Sequence, residues 1–235
     1  MFKELDYRET PLGELSLRQR YDPKLEDTVL EIKLGDEFLM SSAFTASELA
    51  LARLALADLP APALDVVIGG LGLGYTAAAA LDDAKVASLI VVDALEAVID
   101  WHREGVLPLA PRIAGDPRCR LVHGDFFALS ASADGFDPDR PGRLFDCILV
   151  DIDHSPEALL APRNASFYTD EGLAGVACHL KPGGVFGLWS NDAPDDAFTA
   201  RLARVFATAR GEAVTFHNPL QDRPFTQTVY LAGKS

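Results

Sequence analysis

Cysteine is scarce in this chain of 235 residues: Cys119, Cys147 and Cys178 stand far apart, which excludes a disulfide framework and a cysteine-based metal spacing. The five histidines form no Cys/His constellation, so no metal is expected. Basic residues are few, 21 Lys and Arg against 35 Asp and Glu, for a net charge of −14. No Lys/Arg cluster offers a footprint for phosphates, and a nucleic-acid partner is not expected. Long apolar runs are missing too. The uncharged stretch from Val66 to Leu81 is short and broken by glycine, so no membrane span and no membrane partner are expected. The opening MFKELDYRET has no apolar h-region, which leads us to expect no secretory signal and a cytoplasmic setting.

What the chain does have is a hydrophobic content of 49% and a regular alternation of short apolar runs with helical stretches. Strands are predicted at Leu64–Ile68, Leu89–Val92, Arg120–His123, Cys147–Val150, Val185–Trp189, Val214–Phe216 and Thr228–Leu231. Helices are predicted near Thr76–Leu81, Ala94–Arg103, Phe167–Leu180 and Asp195–Ala209. This alternation predicts an α/β fold whose mostly parallel sheet carries helices on both faces. Residues 1–44 differ: GELSLRQR, DTVLEIKL and EFLM read as short strands around turns, a small β-hairpin cap. The segment TASELALARLALADLP then predicts a helix joining cap to core, with Thr45 and Glu48 spaced as a capping box. Residues 45–235 are expected to form the main domain. Ser130–Arg143 is expected to be a polar surface loop.

The sharpest signal is VVIGGLGLGYT, residues 66–76, where a strand gives way to a run of glycines. In an open parallel sheet the ligand sits beyond the carboxyl ends of the strands, and the first strand-to-helix turn approaches it most closely. Gly70, Gly72 and Gly74 are therefore candidate ligand-binding positions, with the helix from Tyr75 aiming free N–H groups at negative charge. GLGYTA also satisfies the relaxed dinucleotide pattern G-x-G-x-x-G/A, so a nicotinamide or flavin cofactor stays open on this motif alone. Asp93 closes the second strand, where a carboxylate can accept both hydroxyls of a ribose. Asp125 follows the third strand, placed to meet an adenine amino group while Phe126 packs on the ring, and Asp151 ends the fourth at the mouth of the same crevice.

In order, GGLGLG, VVD, HGD, ILVDID and LKPGG resemble the strand-end motifs of class I S-adenosylmethionine-dependent methyltransferases. FLMSSAFTASELALARLAL, DIDHSPEALL and FYTDEGL bring the resemblance closer to the spermidine synthase-like branch, the polyamine aminopropyltransferases, over roughly Leu30 to Ser190. The resemblance implies a Rossmann-like fold with a seven-stranded sheet and a small N-terminal cap. It also implies S-adenosylmethionine or decarboxylated S-adenosylmethionine as donor, a small-molecule amine as acceptor, no metal, and a homodimer. Carried over residue by residue, Gly70, Gly72 and Gly74 line the amino-acid or thioether part of the nucleotide, Asp93 holds its ribose and Asp125 faces its adenine. Asp151 takes the position that orients and deprotonates the attacking amine. The chain departs from the branch where polyamine synthases carry a compact D-x-x-D-P and a Tyr-His pair, having Asp151-Ile152-Asp153-His154-Ser155-Pro156 and Thr45-Ala46-Ser47-Glu48 instead. Methyl transfer to a small molecule, and a non-catalytic nucleotide-binding role, therefore stand as alternatives.

Several of these side chains admit ordinary roles. Asp93 and Asp125 also suit helix capping. Asp153 joins Asp151 as a catalytic candidate, although alternation along an extended segment turns the two to opposite sides. His154 is of a residue type that serves as a base, and it has equally the setting of a hydrogen-bonding loop residue. Tyr168 fits either the acceptor pocket or the core.

Overall fold

The computed structural model describes residues 2–235. Its core is a seven-stranded sheet of β5 (Leu64–Gly69), β6 (Val86–Asp93), β7 (Cys119–His123), β8 (Phe145–Val150), β9 (Leu180–Ser190), β10 (Thr208–Asn218) and β11 (Arg223–Gly233). The spatial order is β10-β11-β9-β8-β5-β6-β7. Every predicted core strand is present. β5 pairs in parallel with both β6 and β8, and only β11 runs antiparallel to its neighbours. The chain order thus reverses beside β5, leaving a crevice outside its carboxyl end.

Alternation within the strands feeds two buried clusters. Leu64, Val66 and Ile68 join one, while Val67, Ile148 and Val150 join the other with Phe126, Phe136, Phe167 and Phe186. Helices α1 (Ala46–Ala57), α2 (Tyr75–Asp82), α3 (Glu96–Arg103), α4 (Ala110–Ile113), α5 (Phe126–Ala131), α6 (Asp170–Cys178) and α7 (Asp196–Val205) connect the strands. The helix predicted over Phe167–Leu180 is a 3-10 turn, Pro162–Tyr168, followed by the separate α6. The predicted last helix is shorter as well, since Ala209 already lies in β10. No helix of the described residues is long and apolar enough to cross a membrane.

The cap is larger than a hairpin. β1 (Phe2–Thr10), β2 (Gly13–Asp22), β3 (Asp27–Leu34) and β4 (Glu37–Ser41) form a four-stranded antiparallel sheet in chain order. Leu15, Leu17 and Ile32 from this sheet are buried in the same cluster as α1 and β5. Trp101 Nε1 donates to Asp6 Oδ2 at 2.6 Å and Arg8 Nη1 to Asp100 Oδ2 at 2.7 Å, fixing β1 to α3. The excursion Ser130–Arg143 is not merely a surface loop, because Phe136 enters the core and buried Asp137 accepts from Arg143 at 2.8 Å.

Candidate active site

A cavity of about 360 Å³ lies between cap and core, at the carboxyl ends of β5, β6 and β8. Gly70, Gly72, Asp93, Asp125, Phe126 and Asp151 all border it. Gly74 does not. At φ +93°, it ends the turn with its bare Cα against Ile113 and His102, where an added Cβ would come within 2.9 Å of His102 Cε1. At Gly70 the crowding partner is the Asp151 carbonyl, so this glycine lets β5 and β8 close up at the crevice. The glycine run therefore serves protein packing as much as ligand approach.

The turn's N–H groups are also occupied, against the expectation that they point free at a ligand. Gly70 N donates to Val92 O at 2.9 Å, Leu71 N to Asp93 Oδ2 at 2.8 Å, Leu73 N to Met40 Sδ at 3.3 Å and Gly74 N to Leu71 O at 2.8 Å. Asp93 holds this turn from the side, since its Oδ1 accepts from Leu95 N at 2.8 Å and Gly72 N–H also reaches the carboxylate. Burial pushes its pKa up against those N–H bonds. Three N–H donors on about four lone-pair sites leave the carboxylate one further acceptor position.

Asp125 is the N-cap of α5: its Oδ1 accepts from Phe127 N at 3.0 Å and Ala128 N at 3.2 Å, while Oδ2 lies 3.7 Å from Arg163. Phe126 is buried, stacked on Phe136 at 4.7 Å and pressed against Gly69, so its ring forms a cavity wall anchored in the core.

Asp151 Oδ2 accepts from Thr76 Oγ1 at 2.6 Å. Burial, opposed by that bond, pushes its pKa up to about 6. Its neighbour in the cavity is Glu48, which the sequence had suggested as part of a capping box. Thr45 makes no side-chain cap bond, and Glu48 instead lies on the buried stripe of α1 with Ser47, Leu51, Ala52, Ala55 and Leu56. Burial, and next the charge on Asp151, push its pKa up to about 7. Hydrogen-bond geometry agrees. Gln227 Nε2 donates to Asn191, so its Oε1, 2.6 Å from Ser47 Oγ, takes the single serine proton. Ser47 Oγ also accepts from Trp189 Nε1 at 2.8 Å, and its 2.7 Å contact with Glu48 Oε2 then requires a proton on Glu48. The stripe at i and i+4 through Glu48, Ala52 and Leu56 was the signal in the sequence for this burial.

The remaining candidates stand away from the cavity. Asp153 is buried and accepts from Leu160 N at 2.7 Å, Asn164 Nδ2 at 2.9 Å and Tyr168 OH at 2.9 Å. It does not border the cavity with Asp151, and the alternation along this segment turns the two apart; its carboxylate is engaged by these three donors instead. Tyr168 closes the 3-10 turn with its hydroxyl given to Asp153, and so packs in the core instead of lining the cavity. His154 Nε2 points outward, 3.6 Å from Glu37 Oε2. Among the described residues, no group of His, Cys, Asp and Glu is arranged to hold a metal.

No protein-family model matches the chain, and no curated protein does. Solved structures do. Spermidine synthase from Thermotoga maritima superposes with a TM-score of 0.72 at 18% identity, over 99% of this chain and 73% of its own. A spermidine synthase in complex with the transition-state analogue AdoDATO gives 0.74 at 19%, over 99% and 74%. A probable spermidine synthase from Corynebacterium glutamicum ATCC 13032 gives 0.64 at 18%, over 98% and 79%. The chain has the fold of the spermidine synthases, a Rossmann-like sheet of the class I methyltransferase type preceded by an antiparallel N-terminal sheet.

Proposed function

We propose that this chain is a transferase that moves an aminopropyl group from decarboxylated S-adenosylmethionine to an amine. The charge of the cavity carries the reading. Four carboxylates border it, Glu48, Asp93, Asp125 and Asp151, against one cation, Arg163, which stands by Asp125. At the glycine turn no basic side chain borders the cavity, and the N–H groups from Gly70 to Gly74 are committed. An α-carboxylate there would meet acidic groups and no donors, whereas a donor ending in an ammonium would be attracted. That difference favours the decarboxylated nucleotide over S-adenosylmethionine itself, and aminopropyl over methyl transfer. The cavity volume lies within the roughly 300–1,000 Å³ typical of small-ligand sites.

When bound, such a donor supplies a carbon bonded to a sulfonium, whose displacement by an amine releases the neutral thioether methylthioadenosine. The protein's part is positioning and proton management. Asp93 accepts a ribose hydroxyl on its remaining lone pair, and Asp125 Oδ2 faces the base with Phe126 behind it. Asp151, oriented by Thr76, binds the incoming ammonium, takes its proton and frees the nitrogen lone pair. Glu48 stands beside it as the second acid of the pair, its proton held in the Ser47 network. AdoDATO on a similarly folded spermidine synthase agrees with an S-adenosyl-type donor.

Calorimetry with decarboxylated S-adenosylmethionine, S-adenosylmethionine, methylthioadenosine and NAD tests the reading. The decarboxylated donor and methylthioadenosine should bind, S-adenosylmethionine more weakly by on the order of tenfold or more, and NAD not at all. Preference for intact S-adenosylmethionine points to methylation. Binding of NAD alone overturns the nucleotide assignment.

A further inference from the structure

The two halves of the cavity differ in kind. The strand ends of the core, the α5 N-cap and α1 supply all its acidic groups, while the cap contributes Pro11, Leu12, Ile32, Leu34 and Leu39 as an apolar wall, with Met40 set against the glycine turn. From this division we infer that the acceptor is a monoamine with an apolar body, one ammonium seated at Glu48 and Asp151 and its hydrocarbon laid along the cap. The inference rests on the transfer reading above and narrows its substrate class.

Charge counting supports it independently of the wall. Asp93 and Asp125, bonded to the glycine turn and to the α5 N-terminus, belong to the donor in the transfer reading, which leaves Glu48 and Asp151 to meet the acceptor's charge. The Ser47 network needs a proton on Glu48, so the pair presents about one negative charge, the complement of a single ammonium. A second ammonium several atoms away along the cap wall would lie against leucine and isoleucine side chains with no carboxylate to meet it. Taking an unpaired ammonium out of water is strongly unfavourable. Methylene groups in the same place bury apolar area on both sides. In the transfer itself, the monoamine nitrogen forms the new C–N bond as the C–S bond breaks with its electron pair left on sulfur. The proton lost from the ammonium passes to the carboxylate pair.

The test compares n-hexylamine with 1,6-diaminohexane, matched in length. Titrated calorimetrically into the protein saturated with methylthioadenosine, hexylamine should bind on the order of tenfold or more tightly than the diamine. With decarboxylated S-adenosylmethionine, its kcat/KM for methylthioadenosine release should lead by a similar factor. Leu39→Glu places a carboxylate on the apolar wall and should shift both ratios toward the diamine. Equal or tighter binding of the diamine by the wild-type protein overturns this inference and leaves aminopropyl transfer standing. Failure of every amine to bind or to release methylthioadenosine overturns the transfer reading, and this inference with it.

Discussion

Thr76 Oγ1 reaches Asp151 at 2.6 Å from the first turn of α2, and Glu48 enters from the first turn of α1, so two helices bring two acids to one point. Both acids have raised pKa values, which fixes the direction of the pH dependence. A raised carboxylate is neutral in the folded protein where the unfolded chain has already ionised. Its stabilising contribution is therefore complete below the ordinary carboxylate range and lost as pH rises through about 6 to 7. Activity should move oppositely, because a proton acceptor works only when ionised: kcat/KM should climb through that same interval. Glu48→Gln removes the acid whose pKa burial and the Asp151 charge push up to about 7, so the acid limb of the kcat/KM profile should contract to the single step of Asp151, at about 6. Asp151→Asn should keep donor affinity and lose about 10²–10⁴ in turnover if it is the base. An unmoved limb in Glu48→Gln, with turnover intact in Asp151→Asn, would assign the chemistry to other groups.

At the scale of elements, the central strands were legible because a strand buried on both faces needs a nearly continuous apolar run, as in VVIG and CILV. β1 was not legible. It is a cap edge strand carrying charges at Lys3, Glu4, Asp6, Arg8 and Glu9, the pattern that keeps an exposed edge from pairing with another chain and hides its strand character. The acids at the strand ends could be found because they follow apolar runs. Glu48 could not be separated from a cap residue, since capping and buried-stripe spacings coincide there. Asp153 shows what alternation does settle: turned from the crevice, it gathers Leu160, Asn164 and Tyr168, and so suspends the segment 160–164 that closes one side of the cavity. Asp153→Ala should leave several buried donors unpaired, costing about 1–3 kcal/mol. For a chain of this length that corresponds to a fall in Tm of about 3–10 °C. KM for the donor should rise while kcat at saturation stays within about threefold of wild type, a split expected of a positioning group. Collapse of kcat with KM and Tm unchanged would return Asp153 to the chemistry.

For the whole molecule, the decisive fact is that the cavity has no complete wall within either part. Leu15, Leu17 and Ile32 of the cap share one buried cluster with Leu51, Val66 and Ile68, and Phe44 stacks on Phe216 at 5.5 Å. Lys24 Nζ donates to Leu220 O at 2.8 Å, a further tie between the β2-β3 turn and the β10-β11 hairpin. Separating cap from core would expose this shared apolar surface and open the cavity together, so the two should unfold in one step although the sequence divides near residue 45. Leu17, fully buried in the cap, is the probe. Leu17→Ala should cost about 2–5 kcal/mol, combining lost transfer energy with the cavity left behind. In calorimetry the variant should show a single transition lowered by about 5–15 °C. Methylthioadenosine at a hundred times its Kd should restore about 2.7 kcal/mol to wild type and variant alike, because ligand linkage acts on whatever unit contains the site. An early cap transition, with a ligand-sensitive main transition left in place, would show instead that the core folds and binds without its cap.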